Sequence, residues 1–163
     1  MSKASMDSEQ FWQLIEDAWA AAGGYKRERK LLAKGKLSEE KAFDLQDALD
    51  EVIAALSGKL KKLSKDDLLA FDRILEKKLY DIDREEIQAV TDGSDDGFLY
   101  ARGFIVAMGK EFYEAVNADP SKALTDFECE EMCYLSFHIF KRLYGDMPKS
   151  GISRESGFNK AGW

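Results

Sequence analysis

Apolar residues recur along this chain at intervals of three and four, and short polar signatures mark where each run begins. Phe11, Leu14, Ile15, Ala18 and Trp19 fall on one face of a helix running to about Ala22, where Gly23-Gly24 stops it. Asp7 and Gln10, bracketed by Met6 and Phe11, have the reciprocal spacing of a capping box at its start. Ser38 opens a second helix on Leu45, Leu49, Val52, Ile53 and Leu56, closed by Ser57-Gly58. Ser64 with Asp67, bracketed by Leu63 and Leu68, opens a third, whose stripe of Leu68, Phe71, Leu75 and Leu79 runs to about Tyr80. Asp83 with Glu86 predicts a short helix stopped at Asp92-Gly93. Phe98 to Asn117 reads as one long helix with Phe98, Ala101, Ile105, Met108, Phe112 and Val116 on one face, ended ahead of Pro120. Thr125 with Glu128 predicts the last helix, which carries Met132, Cys133, Phe137, Phe140 and Leu143 to Gly145.

No segment alternates apolar and polar residues with a period of two, so no sheet is expected. The fold class is all-α: a single compact domain of about six helices over residues 1–145, followed by a polar tail, 146–163. The tail lacks periodicity and is expected to be disordered or strapped to the domain through Ile152, Phe158 and Trp163.

With 163 residues the chain can bury a core without staples, and 45% hydrophobic with 34% charged residues and two prolines fits a helix-rich globular protein. No apolar run approaches the roughly 20 residues of a membrane helix, and Met1 to Gln10 lacks the layout of a signal peptide. A cytoplasmic chain with no membrane association is expected. Cys129 and Cys133, four apart on a helix, are poorly placed for a disulfide and read as reduced thiols. A net charge of −7 disfavours nucleic acid as a partner. The basic run from Tyr25 to Lys36 reads as a solvated insertion.

One stretch invites a test by position. In TDGSDDGFLYARG, residues 91–103, Asp92, Ser94, Asp96 and Gly97 match the first half of a calcium loop. The twelfth position, where a bidentate glutamate belongs, is Gly103, so no metal is expected, and Asp92, Ser94 and Asp96 remain weak metal candidates. Ser94 or Asp95 can instead cap a helix whose positive end suits both acids. Asp95, Asp96 and Arg102 are the candidate catalytic residues, and Ser94, Asp95, Asp96, Gly97 and Arg102 the candidate binding set. His138, the single histidine, sits roughly 180° and 140° round an ideal helix from Cys129 and Cys133, so the three do not converge on a metal. There is no glycine-rich phosphate loop and no G-x-S-x-G, and no cofactor is expected.

Phe11, Trp12, Phe71, Ser94, Asp95, Asp96, Gly97, Phe98, Arg102, Phe104, Gly109, Tyr113, Asp119 and Pro120 together resemble the bacterial domain of unknown function 4240 family, with the run S-D-D-G-F the most specific part. Two departures from the family pattern stand out: DIDREEIQAVTDG, just before that run, is short and polar, and the basic stretch Tyr25 to Lys36 looks like an addition. The resemblance implies a helical domain, supplies no established activity, and favours Asp95, Asp96 and Arg102 as one unit. Phe98 and Arg102, four apart, share a helix face. The expected function is a non-catalytic protein-interaction module with an unidentified protein partner. Two alternatives stand beside it: an enzyme using Asp95 or Asp96 with Arg102 and a divalent metal, and an acidic immunity protein that neutralises a basic toxin by charge complementarity.

Overall fold

Residues 5–91 and 93–163 are described by a computed structural model. Among them are eight α-helices and no strand: α1 Ser8–Ala21, α2 Lys26–Ala33, α3 Glu39–Leu60, α4 Lys65–Asp81, α5 Glu85–Thr91, α6 Asp95–Ala107, α7 Lys110–Ala118 and α8 Glu130–Tyr144. Two short 3-10 turns, Pro120–Lys122 and Lys160–Gly162, complete the list of helical elements.

Four starts follow directly from local chemistry. Asp7 accepts from the Gln10 N–H at 2.9 Å while the Gln10 side chain accepts from the Asp7 N–H at 2.9 Å, a closed capping box. Ser38, Ser64 and Ser94 each accept from the N–H three residues on, at the heads of α3, α4 and α6.

The expected count of about six helices is too low, for two physical reasons. Tyr25 to Lys36 is not simply solvated, since its middle folds as α2 and buries Arg29, Leu32 and Ala33. The Arg29 guanidinium reaches the Glu16 carboxylate at 2.7 Å and the Met108 carbonyl at 3.0 Å, and lies 4.8 Å over the Trp19 ring. Its charge therefore faces the protein, which a count of basic residues does not reveal. The long helix expected from Phe98 to Asn117 is broken in two at Gly109, where φ is +104°. A side chain there would be strained by that backbone and would meet Glu16 Oε1 at 2.8 Å and Arg29 Nη1 at 2.9 Å, so glycine turns the chain between α6 and α7.

Two predicted caps are also corrected. Thr125 does not open α8: its hydroxyl donates to the Val90 carbonyl at 2.7 Å, and the helix starts at Glu130 after a stretch whose Cys129 N–H donates to the Tyr100 carbonyl. Asp83 does not cap α5, and its carboxylate is turned toward the C-terminal residues instead.

Helix α6 is the hub. Every residue from Ala101 to Ala107 is buried, and α4, α5, α7 and α8 pack around it. At Gly103 the α8 backbone comes so close that a Cβ would overlap the Cys129 carbonyl and stand 2.6 Å from Cys133 Sγ. Gly103 thus permits helix contact at the position where a calcium loop would need its glutamate. The Trp19 indole N–H ties α1 to the end of α6 through the Ala107 carbonyl, at 2.7 Å. No helix of the described residues is long and apolar enough to cross a membrane.

Candidate functional site

The residues singled out by the S-D-D-G-F run do not form an open patch. Ser94, Asp95 and Asp96 are exposed, Gly97 is half-buried, and the Ser94 hydroxyl oxygen is taken up by the Gly97 N–H. Arg102 points the other way and is 0% exposed. Its Nη1 donates to the Leu79 carbonyl at 2.8 Å, its Nη2 donates to Ser156 Oγ at 3.0 Å, and its guanidinium lies 4.7 Å over the Phe98 ring. No acceptor meets Nε among the described residues. Burial pulls the Arg102 pKa below the ordinary arginine value, opposed chiefly by the Asp83 carboxylate.

The link between Asp95 and Arg102 is indirect: Ser156 Oγ accepts from Arg102 and donates to the Asp95 backbone carbonyl at 2.6 Å. Of the weak metal candidates, Asp92 lies outside the described residues. Among those described, no group of three or more His, Cys, Asp and Glu residues is placed to hold a metal ion. His138 is exposed beside Tyr134 and Phe137. Cys129 and Cys133 are free and buried, and burial pushes both thiols up to about 12.

Ser156 belongs to the tail, and the tail leads to a buried polar site. Residues 146–163 leave the end of α8, cross α4, and return past the start of α6. Pro148 accepts from the Arg73 guanidinium at 2.6 Å, and Ser150 Oγ donates to the Glu76 carboxylate.

Arg154, 5% exposed, then inserts between α4 and α8. Its Nη2 reaches Asp72 Oδ2 at 2.8 Å and Glu76 Oε2 at 3.0 Å, and its Nη1 donates to the Cys133 carbonyl at 2.6 Å and reaches Asp72 Oδ1 at 3.3 Å. The Tyr134 ring lies 5.5 Å from the guanidinium carbon, and the Tyr134 hydroxyl donates to Glu155 at 2.6 Å. Burial opposes the Arg154 charge, but Asp72 and Glu76 outweigh it and hold the pKa above the ordinary value. Asp72, 1% exposed, is oriented from its other side by the Ser136 hydroxyl, which donates to Oδ1 at 2.8 Å.

A second buried carboxylate receives the end of the tail. Asp83 Oδ1 accepts from the Gly157 N–H at 3.0 Å and from the Trp163 indole N–H at 2.9 Å, and Oδ2 accepts from the Asn159 N–H at 2.9 Å. The Asn159 amide donates to the Tyr80 carbonyl, and the Trp163 ring meets Phe98 edge-on at 6.0 Å. Phe158 stays exposed, as does Ile152, so polar groups rather than these apolar residues carry the tail.

Asp72, Glu76, Arg154 and Ser156 were not picked out by sequence, and Asp83 was read only as a cap. One signal was there to read: Asp72 is four residues past Leu68 and three before Leu75, on the buried face of α4, where a carboxylate calls for a partner. Asp83 was concealed by a spacing that also fits a cap.

The family model described as Protein of unknown function (DUF4240) matches residues 6–142, and the chain belongs to that family. No curated protein and no solved structure matches the chain. The matched span ends within α8, so Asp72, Glu76 and Asp83 lie inside it and the tail from 146 onward lies outside.

Proposed function

We propose that this member of the family is a protein-interaction module, and that its interaction site is the groove along α4, α6 and α8 rather than the exposed Asp95 and Asp96. The observation that carries the proposal is an extended, irregular segment seated in that groove by two buried carboxylates, Asp72 and Asp83. An extended peptide is read in this way elsewhere too, by main-chain hydrogen bonds for affinity and side-chain pockets for selectivity. Both components occur here: Asp83 takes two backbone N–H groups and an indole, and Asp72 takes a guanidinium. The tail thus has the part of a tethered ligand, and a partner carrying a similar extended segment would compete with it.

The test supplies the segment in trans. A fluorescein-labelled peptide of residues 148–163 is titrated against full-length protein carrying Arg154→Ala, with circular dichroism confirming that the variant is folded. Saturable binding, reversed by unlabelled peptide, is expected. A folded variant that binds no peptide at millimolar concentration overturns the proposal. Arg154→Lys keeps the charge and serves in the same assay if Arg154→Ala does not fold.

A further inference from the structure

Resting on that reading of the groove, we infer that Asp72, Glu76 and the Cys133 carbonyl form an arginine-selective pocket whose ligand is an arginine side chain on an extended partner segment, with Arg154 as its resident occupant.

The case begins with the pocket's chemistry. Two carboxylates and one carbonyl converge from α4 and α8, and none of the three lies in the tail. They divide between both terminal nitrogens of one guanidinium: Asp72 spans the fork through Oδ1 and Oδ2, Glu76 takes Nη2, and Cys133 takes Nη1. A planar fork with donors at fixed angles satisfies such a set, whereas an ammonium is a compact charge on a flexible stem and cannot span the same acceptors. Tyr134 adds a ring against the guanidinium face, the arrangement that favours arginine over lysine.

Energetics points the same way. A buried ion pair contributes little stability beyond what well-packed apolar residues would give, so holding the tail does not by itself require charges at this depth. With Arg154 in place Asp72 is buried and Glu76 half-buried, and its withdrawal would leave two neighbouring carboxylates without their cation, a demand for another one. A surface cavity of about 310 Å³ lies beside the pair, lined by Arg73 and Phe137 from the helices and by Lys149, Ser150 and Ile152 from the tail. The pocket's acids fall within the matched residues 6–142 and its occupant does not, so Arg154 fills the pocket from outside that span.

The experiment empties the pocket and offers it single side chains. Full-length Arg154→Ala is titrated with N-acetyl-L-arginine amide and, separately, with N-acetyl-L-lysine amide, with binding read by calorimetry and by the rise in melting temperature. The expected result is saturable binding of the arginine compound, binding of the lysine compound weaker by about tenfold or more, and neither compound binding the wild type or Arg154→Ala/Asp72→Asn. Arg154→Met, which keeps the apolar stem and carries no charge, provides the vacated pocket if Arg154→Ala is unfolded. Equal binding of the two compounds, or binding of neither, overturns the arginine pocket. Peptide 148–163 separates this from the groove itself. If the peptide binds Arg154→Ala but its arginine compound does not, the groove stands and the arginine pocket falls. If neither binds, both fall.

Discussion

Replacing Asp83 by asparagine tests whether one carboxylate holds the end of the tail. The substitution is nearly isosteric, so no cavity opens and the effect is electrostatic and hydrogen-bonding. With its carbonyl in the place of Oδ1, asparagine can still accept from the Gly157 N–H and the Trp163 indole. Its NH₂ group then faces the Asn159 N–H, which Oδ2 now accepts at 2.9 Å, and two donors confront each other. Leaving one buried donor unsatisfied costs about 1–3 kcal/mol, and turning two charge-assisted bonds into neutral ones adds roughly 0.5–1 kcal/mol each, which gives about 3 kcal/mol. Arg102, whose charge Asp83 supports, is weakened in the same direction. For a chain of this length the loss corresponds to a melting temperature lower by about 6–12 °C. Thermal unfolding by circular dichroism reads the magnitude, and native-state hydrogen exchange locates it: the Gly157 and Asn159 amides should lose protection before the α6 core does. Trp163 should report as well, because Trp12 and Trp19 are buried and its own indole would move from Phe98 toward water. A melting temperature within about 2 °C of wild type, with those two amides exchanging as slowly as before, would refute the assignment.

Two further outcomes are expected. Ser94→Ala removes the acceptor of the Gly97 N–H and should lower stability by about 1 kcal/mol, whereas Asp95→Asn, on an exposed side chain with no hydrogen-bond partner among the described residues, should leave the melting temperature within about 2 °C; urea unfolding of both variants checks the order, and a larger loss for Asp95→Asn contradicts it. The buried thiols give a pH dependence: a cysteine in the unfolded chain ionises near 9, while burial holds Cys129 and Cys133 neutral up to about 12, so unfolding releases protons between those values. The contribution is therefore full below about pH 9 and lost as pH rises toward 12; the double variant Cys129→Ala/Cys133→Ala should lose that part of the slope, and a native protein whose thiols react with a disulfide reagent at pH 8 as fast as free cysteine rules it out.

Helix existence was legible where the signal is local. Asp7 with Gln10, Ser38, Ser64 and Ser94 are caps whose donors and acceptors lie within three residues, so their spacing is a local signal that a sequence carries. The structure departs from these local signals where a residue's partner is distant. Gly109 breaks a continuous apolar stripe because Glu16 and Arg29, far away in sequence, occupy the space beside it. Arg29 makes a basic run part of the core through the same Glu16. Asp83 and Thr125 have the spacing of caps, yet tertiary acceptors and donors take them first.

The candidate site follows the same division. Ser94, Asp95 and Asp96 drew notice because their pattern is compact, and capping accounts for that compactness through Ser94. Arg102 appeared beside them only in sequence; four residues after Phe98 it turns inward over that ring, and its polar partners come from Leu79 and from Ser156 in the tail. The groove that holds the tail depends on pairs 82 residues apart, Asp72 with Arg154, and 74 to 80 apart, Asp83 with Gly157, Asn159 and Trp163. No periodicity joins positions at such distances. What a sequence can still offer is the anomaly at one end of such a pair: a carboxylate on an apolar helix face, as at Asp72, is too costly to stand alone, so its presence implies a cation somewhere in the chain or on a partner. Here the chain supplies that cation from a segment outside the family match, so the acid in α4 specifies the chemistry of the occupant and leaves the source of the arginine to be decided by competition.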